Sequence, residues 1–432
     1  MIRSLRSLIR VLAPSCTSPY DLPVTGRIRS PYAPKVSCRT AAVVLVVAGL
    51  VGLVSVGACS ADSDEPASDP LPAAEAAWRE VTLPVPAGPS GRIAVRDAAH
   101  CGGSWYVVGA VIGTDGSSRP AAWTSSDGRG WRAIPTAPVQ FWAGQAVLST
   151  VACRDGRIAA IGAKPGGAHG NPRTITWRQR ADGTLVDVQA PFELYGGPSA
   201  VSVNRIAAGP DGWMIAGTRR SGAAVWVSPD STDFRLVDDD PELSSDGEHR
   251  TTALDAVHDG TAWTVTGRVQ MTGRVAPAPM SWSSADGSAW QREHVPAGTH
   301  GYADLQRVTQ VGNRVVAAGV RGDTFGVWER RSGRWRAADE FGSIAGDSTR
   351  APYVSGLAAA NGSTLVSVND TARFQLWAAD GDGWREVGTP TRPAVTGDTQ
   401  LTVAGAGTTV LLLADDGTSG RAWIADWNIL GQ

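Results

Sequence analysis

Aromatic side chains spaced among arginines are the residues of this chain best suited to chemistry. Phe141, Trp142, Tyr195, Tyr302 (with His300 beside it) and Tyr353 all fall in segments that join one repeated unit to the next. The arginines Arg119, Arg173, Arg219, Arg274, Arg321, Arg373 and Arg421 recur at a second fixed place in the units. Aromatic faces with nearby donors suit sugar rings or peptides, and guanidinium groups suit a carboxylate or phosphate. The plainer reading makes them loop aromatics and solvated arginines. The six histidines form no His-x-x-x-His or Cys/His cluster, so no zinc site is indicated. No Gly-x-Ser-x-Gly elbow or phosphate-cradling glycine loop occurs, and no cofactor is indicated. A net charge of -2 without a polybasic stripe gives no footprint for nucleic acid.

The elements that must position these residues repeat. Seven tryptophans end similar short runs: Trp123, Trp177, Trp226, Trp282, Trp328, Trp377 and Trp423, spaced 46 to 56 residues apart. Before each lies an apolar run that mostly closes on a small residue, such as Trp105-Tyr-Val-Val-Gly or Val315-Val-Ala-Ala-Gly. Before that run comes a third, ending in a Gly- or Asp-rich turn. After the marker a turn leads to a second aromatic, as Trp123 leads to Trp131 and Trp226 to Phe234. Four short antiparallel strands at this period mark a propeller blade. Helical stripes are missing, and glycine interrupts most of the apolar runs. The expectation is an all-β, seven-bladed β-propeller over residues 76–432. Trp427-Asn-Ile-Leu leaves no fourth strand for the last unit, and Ala77-Trp-Arg-Glu-Val resembles Gly383-Trp-Arg-Glu-Val. The strand near Trp78 is therefore expected to complete the last blade and remove an open sheet edge.

The turns after the markers carry a motif. Ser125-Ser-Asp-Gly-Arg-Gly-Trp131 and Ser284-Ala-Asp-Gly-Ser-Ala-Trp290 share Ser-x-Asp-Gly-x-x-Trp, and the turns at Asp230 and Asp380 keep most of it. The motif resembles the Asp-box turn of sialidase-like propellers, one residue shorter than the usual form. It assigns Asp127, Asp230, Asp286 and Asp380 to turn-making, on the face opposite the ligand loops. Sialidases use an arginine cluster, a tyrosine–glutamate nucleophile pair and an acidic acid/base group, for which Glu193 and Tyr195 would stand. The Phe-Arg-Ile-Pro stretch that opens many sialidase domains is absent from residues 76–110. Asp boxes also occur on non-enzymatic propellers, so no catalytic residue is assigned.

Residues 1–40 read as an amino-terminal extension and charged leader, with Val24 or Val36 as an alternative initiator. Residues 41–58 are apolar except for Ser55 and follow Arg39, as an export signal does. Val56-Gly57-Ala58-Cys59 resembles the bacterial lipobox, which implies lipidation of Cys59 and removal of what precedes it. An uncleaved transmembrane anchor is the other reading, and both place the rest of the chain outside the cytoplasm. Residues 59–75 are an acidic, Pro/Ala-rich tether. Cys16 and Cys38 fall in the discarded segment. Cys101 and Cys153 end first strands in adjacent units and either pair across the seam or remain buried thiols. Together these readings give a cell-surface lipoprotein, held to the membrane by lipid. Its propeller binds a glycan, peptide or envelope protein. The alternatives are a sialidase-like glycosidase and a structural partner that docks another envelope protein.

Overall fold

Each of the seven marker tryptophans lies in the third strand of a four-stranded antiparallel sheet. The computed structural model describes residues 73–428, except 167–170, 299–300, 346–349 and 381–382. The segments expected to form the leader, apolar run, Cys59 and most of the tether lie outside the described residues, as does His300. The innermost strands are Arg92–Cys101, Val147–Arg154, Ala200–Gly209, His249–His258, Arg307–Val311, Tyr353–Ala360 and Gln400–Ala406. Each touches the next, and the last touches the first, so together they wall a central channel. This is a seven-bladed β-propeller in which the described residues include one α-helical turn, Phe192–Tyr195, and one 3-10 turn, Ala143–Gln145.

The core is divided into seven seams, one between each pair of neighbouring blades. This explains why strands such as Gly212–Arg219 are buried along their whole length and do not alternate. Both faces of a middle strand meet another blade, so both take apolar residues. Trp123, Trp177, Trp226, Trp282 and Trp328 are 0% exposed at the centre of these seams. Four of them also donate the indole N–H to a carbonyl of the connector that enters their own blade. Trp123 reaches Pro84 O at 2.7 Å, Trp226 Leu194 O at 2.8 Å, Trp282 Glu242 O at 2.7 Å and Trp328 Pro296 O at 2.8 Å. One residue thus fills the seam and pins the connector. Trp177 and Trp377 occupy the same place with that N–H unpaired.

The last blade is closed by Arg79–Val81, paired with Gly420–Asp426 so that Glu80 faces Trp423. Glu386 faces Trp377 in the same way one blade earlier, so the two matching segments share one register. Just upstream, Ala74 exchanges backbone bonds of 2.9 Å with Glu386 and Gly388. Trp78 Nε1 donates to Gly388 O at 2.7 Å. Between blades one and two a disulfide joins Cys101 and Cys153, whose Cα atoms are 5.8 Å apart, within the range such a bridge requires.

At the outer turns Asp127 accepts from the backbone N–H of Arg129 (2.8 Å) and Gly130 (2.9 Å). Asp230 and Asp286 accept likewise from Thr232 and Ser288. Gly128 follows at φ +70, a conformation that favours glycine. The side chain of Asp380 and the turn after it lie outside the described residues. The glycine inside several second strands has a different cause. Five inner strands carry a β-bulge near the middle of the channel. Their carbonyls press on the next strand there: a Cβ at Gly109 or Gly267 would stand 1.9 Å from the oxygen of Ala94 or Thr252.

Candidate functional site

Because successive strands run antiparallel, the blade connectors and the hairpins between second and third strands share one face. The structure gathers four of the sequence-predicted residues there, at the rim of blade two. Trp142 ends the connector from blade one, Arg173 opens the third strand Arg173–Gln179, and Tyr195 ends the helical turn Phe192–Tyr195. The Arg173 guanidinium lies 4.6 Å from the Trp142 ring centre and 5.8 Å from that of Phe192, a cation held between two aromatic faces. Phe141 meets Trp142 edge-on at 5.0 Å. Phe141 is 73% exposed and Phe192 60%. Asp187 fixes the connector by accepting from the backbone N–H of Val139 (2.6 Å) and from Gln140 Nε2 (2.8 Å). A slot of about 130 Å³ opens between Gln140, Trp142, Arg173 and Phe192. Phe192 was not singled out in the sequence; its place in the same connector as Tyr195 is the only signal that could have found it.

Tyr195 itself belongs to the core. Its hydroxyl stands 3.4 Å from Thr176 Oγ1, its ring packs on Trp226, and burial pushes its pKa up. Tyr302 is half-buried on another blade, donating to Asp304 at 3.1 Å and accepting from Arg268 at 3.2 Å. Tyr353, 37% exposed, stands at the mouth of the channel.

The hairpin arginines are spread round the rim and, Arg173 apart, mostly hold structure. Arg119 donates to Pro86 O (2.9 Å) and Pro89 O (3.0 Å), and Arg219 to Gly196 O (3.0 Å) and Glu193 O (3.1 Å). Arg321 pairs with Glu340 at 2.7 Å, and Arg373 lies between Asp370 (3.6 Å) and Glu386 (3.5 Å). Arg421 stacks on Trp423, and Arg274 is exposed. A guanidinium beside a connector satisfies carbonyls that the sheets leave unpaired, and this occupies it.

A second polar assembly, unforeseen in the sequence, sits inside the channel. The inner-strand residues paired with Val108, Ile161, Ala216, Thr266, Ala318, Ser367 and Leu413 are Asp97, Thr150, Arg205, Asp255, Arg307, Gly356 and Thr402. Each comes from the same level of its blade, so the seven form a ring. Arg205 bridges Asp97 at 2.8 Å and Asp255 at 3.5 Å. Asp97 also accepts from Val151 N at 3.0 Å, and Asp255 from Ala256 N (2.9 Å) and Val308 N (3.2 Å). The Asp97–Val151, Arg205–Asp255 and Asp255–Val308 contacts tie neighbouring blades together at the channel wall. Burial raises the Asp255 pKa, although Arg205 and Arg307 pull it down. Arg205 and Arg307 separate a lower chamber from an upper one, each about 300 Å³. Among the described residues no cluster of three or more metal-ligating side chains forms.

No family model matches the chain, and no curated protein matches it. Solved structures do resemble it. The β-propeller domain of the Trilobed protease from Pyrococcus furiosus aligns over 80% of this chain and 98% of its own, with 8% identity and a TM-score of 0.46. Acylaminoacyl peptidase from Pyrococcus horikoshii aligns over 78% of this chain and 51% of its own (10% identity, TM-score 0.45). Trypanosoma rangeli sialidase aligns over 82% and 60% (11% identity, TM-score 0.41).

Proposed function

We propose that this protein is an exported, lipid-anchored binding module that presents the connector face of its propeller to a glycan or peptide of the cell envelope. The observation that carries the reading is the rim plate, where Arg173 is held between Trp142 and Phe192. Three segments distant in sequence converge to leave rigid aromatic faces in solvent beside a fixed cation. Such surfaces gain contact area at little cost in conformational freedom. The anchor rests on the apolar run 41–58 and on Cys59. A second reading, docking of another envelope protein, draws on the exposure of Val139 (69%), Phe141 (73%) and Phe192 (60%) in the same patch. A sialidase-like glycosidase finds little support, since Tyr195 lies in a seam with its hydroxyl against Thr176.

The test is a glycan array and an envelope-protein pull-down with the full chain and its Trp142→Ala and Phe192→Ala variants. Each variant is expected to weaken binding by about tenfold or more, as central aromatic contacts do. Binding unaltered in both variants would remove the plate from the reading. Capture of glycan or peptide supports the first reading, and capture of a protein alone the second. Labelling with a palmitate analogue, lost in Cys59→Ala, checks the anchor.

A further inference from the structure

We propose that the upper chamber of the channel is a second binding site, separate from the rim plate, for a small anion such as a carboxylate or phosphate group received by Arg307. The chamber holds about 300 Å³, at the small end for ligand cavities. Its lining includes a guanidinium that no carboxylate among the described residues contacts directly, Asp255 and Asp97 acting on it only from farther away. Arg205 is spent on Asp97 and Asp255, and both carboxylates also accept backbone N–H groups. Arg307 gives one bond, from Nη1 to Gln306 O at 2.8 Å. Among the described residues no carboxylate oxygen comes within 4.0 Å of it, and its Nε is buried without a partner.

A second observation is independent of the arginine. Thr150 lines the same chamber, is 1% exposed, and its hydroxyl has no hydrogen-bond partner. Of the other polar side chains there, Ser149 donates to Ile161 O, Asn204 to Ala253 O, Ser355 to Ser367 Oγ and Gln400 to Arg96 O, and the Tyr353 hydroxyl bonds with the Asn369 side chain. The buried side-chain donors of this lining without a partner are Arg307 Nε and Thr150 Oγ1.

Buried donors left without a partner cost free energy that a bound oxyanion would recover. Burial, with the Arg205 charge next, pushes the Arg307 guanidinium down to about 10 against the pull of Asp255 and Asp97, so it remains charged at neutral pH. Carboxylate and phosphate oxygens match the planar fork of a guanidinium, and a neutral hydroxyl beside it supplies a further donor.

The experiment measures calorimetric binding and melting temperature of the full chain with inorganic phosphate and with acetate, against chloride at equal ionic strength. Wild type is expected to bind at least one of the two and to melt about 2 °C higher at roughly ten times the dissociation constant. Arg307→Met should weaken binding by about thirtyfold or more. Trp142→Ala should bind the anion as wild type does, so failure of the rim reading and failure of this one are distinguishable. Thr150→Val, which keeps every charge, should weaken binding severalfold, and it carries the test if Arg307→Met does not fold. Three results overturn the proposal: wild type indifferent to both anions, the same rise in Arg307→Met through general salting, or Thr150→Val binding as tightly as wild type.

Discussion

Replacing Arg205 by methionine removes a side chain that joins two buried carboxylates across the channel. Asp97 is 6% exposed and Asp255 5%, and both bind Arg205. Removing one partner of a buried pair typically costs about 3–5 kcal/mol, because the other charge is left behind. Two features place this case at the lower end. The Arg205 side chain is 22% exposed, and Arg307 already feels the Asp255 charge and can move toward it. The expected loss at neutral pH is therefore about 3 kcal/mol. With an unfolding entropy near 2.1 cal/mol/K per residue over about 350 residues, that is a fall of about 4 °C in melting temperature.

The pH dependence has a definite sign. Asp255 is already shifted above its ordinary value by burial, and losing Arg205 raises it further. A carboxyl raised in the folded state takes up its proton there first, so the native state loses ground as pH rises through that window. The deficit of Arg205→Met should thus be largest near neutral pH and shrink as pH falls from the raised Asp255 value toward 3.8. Adding Asp97→Asn should restore part of the loss, as coupled neighbours do. Urea unfolding near pH 7.5 and near pH 5 measures all three quantities. A variant as stable as wild type near neutrality, or equally weakened at both values, would refute charge pairing as what holds the ring.

Two further outcomes follow from the turns and the seam. Asp127 is held at about 2 by the N–H groups of Gly130 and Arg129 and by Ser125. Its contribution is present above 3.8 and lost as pH falls toward about 2, so Asp127→Asn should flatten that part of an acid-unfolding curve followed by tryptophan fluorescence; overlapping curves would contradict it. The Cys101–Cys153 bridge closes a separation of 52 residues, and removing it by Cys101→Ser with Cys153→Ser should cost about 4 kcal/mol on chain-entropy grounds. Alkylation of both cysteines in the unreduced wild-type protein would exclude the bridge.

The propeller was legible because its marker tryptophans take the same place in the third strand of every blade. A fully buried indole at a fixed place must recur in the sequence, and the register of the closing strand could be read from Trp78-Arg-Glu-Val against Trp384-Arg-Glu-Val. The rim plate was partly legible: Phe141, Trp142 and Arg173 are marked by residue type and by position in a loop. The other hairpin arginines misdirect the eye, since a sequence does not show which carbonyls a connector brings beside them. The channel ring was hidden for a different reason. Its members are chemically unlike one another (Asp, Thr, Arg, Gly), so they form no motif, and a bulge in most of these strands shifts the side-chain alternation that would betray them. Stacking the units on Gly109, Gly162, Gly217, Gly267 and Gly319 would have put five ring residues, Asp97, Thr150, Arg205, Asp255 and Arg307, in one column.

The way the chain enters the propeller also sets how it bears load. A pull on the residues ahead of Ala73 does not fall first on the three-residue strand that closes the ring. It meets the two Ala74 backbone bonds to blade six, then the Trp78 indole on Gly388, and only then Arg79–Val81. These upstream ties grip the outer strand of blade six, which is not the blade being closed. Blade six therefore acts as a strain relief for blade seven: tension along the amino-terminal segment must strip one blade's edge before it can unzip its neighbour.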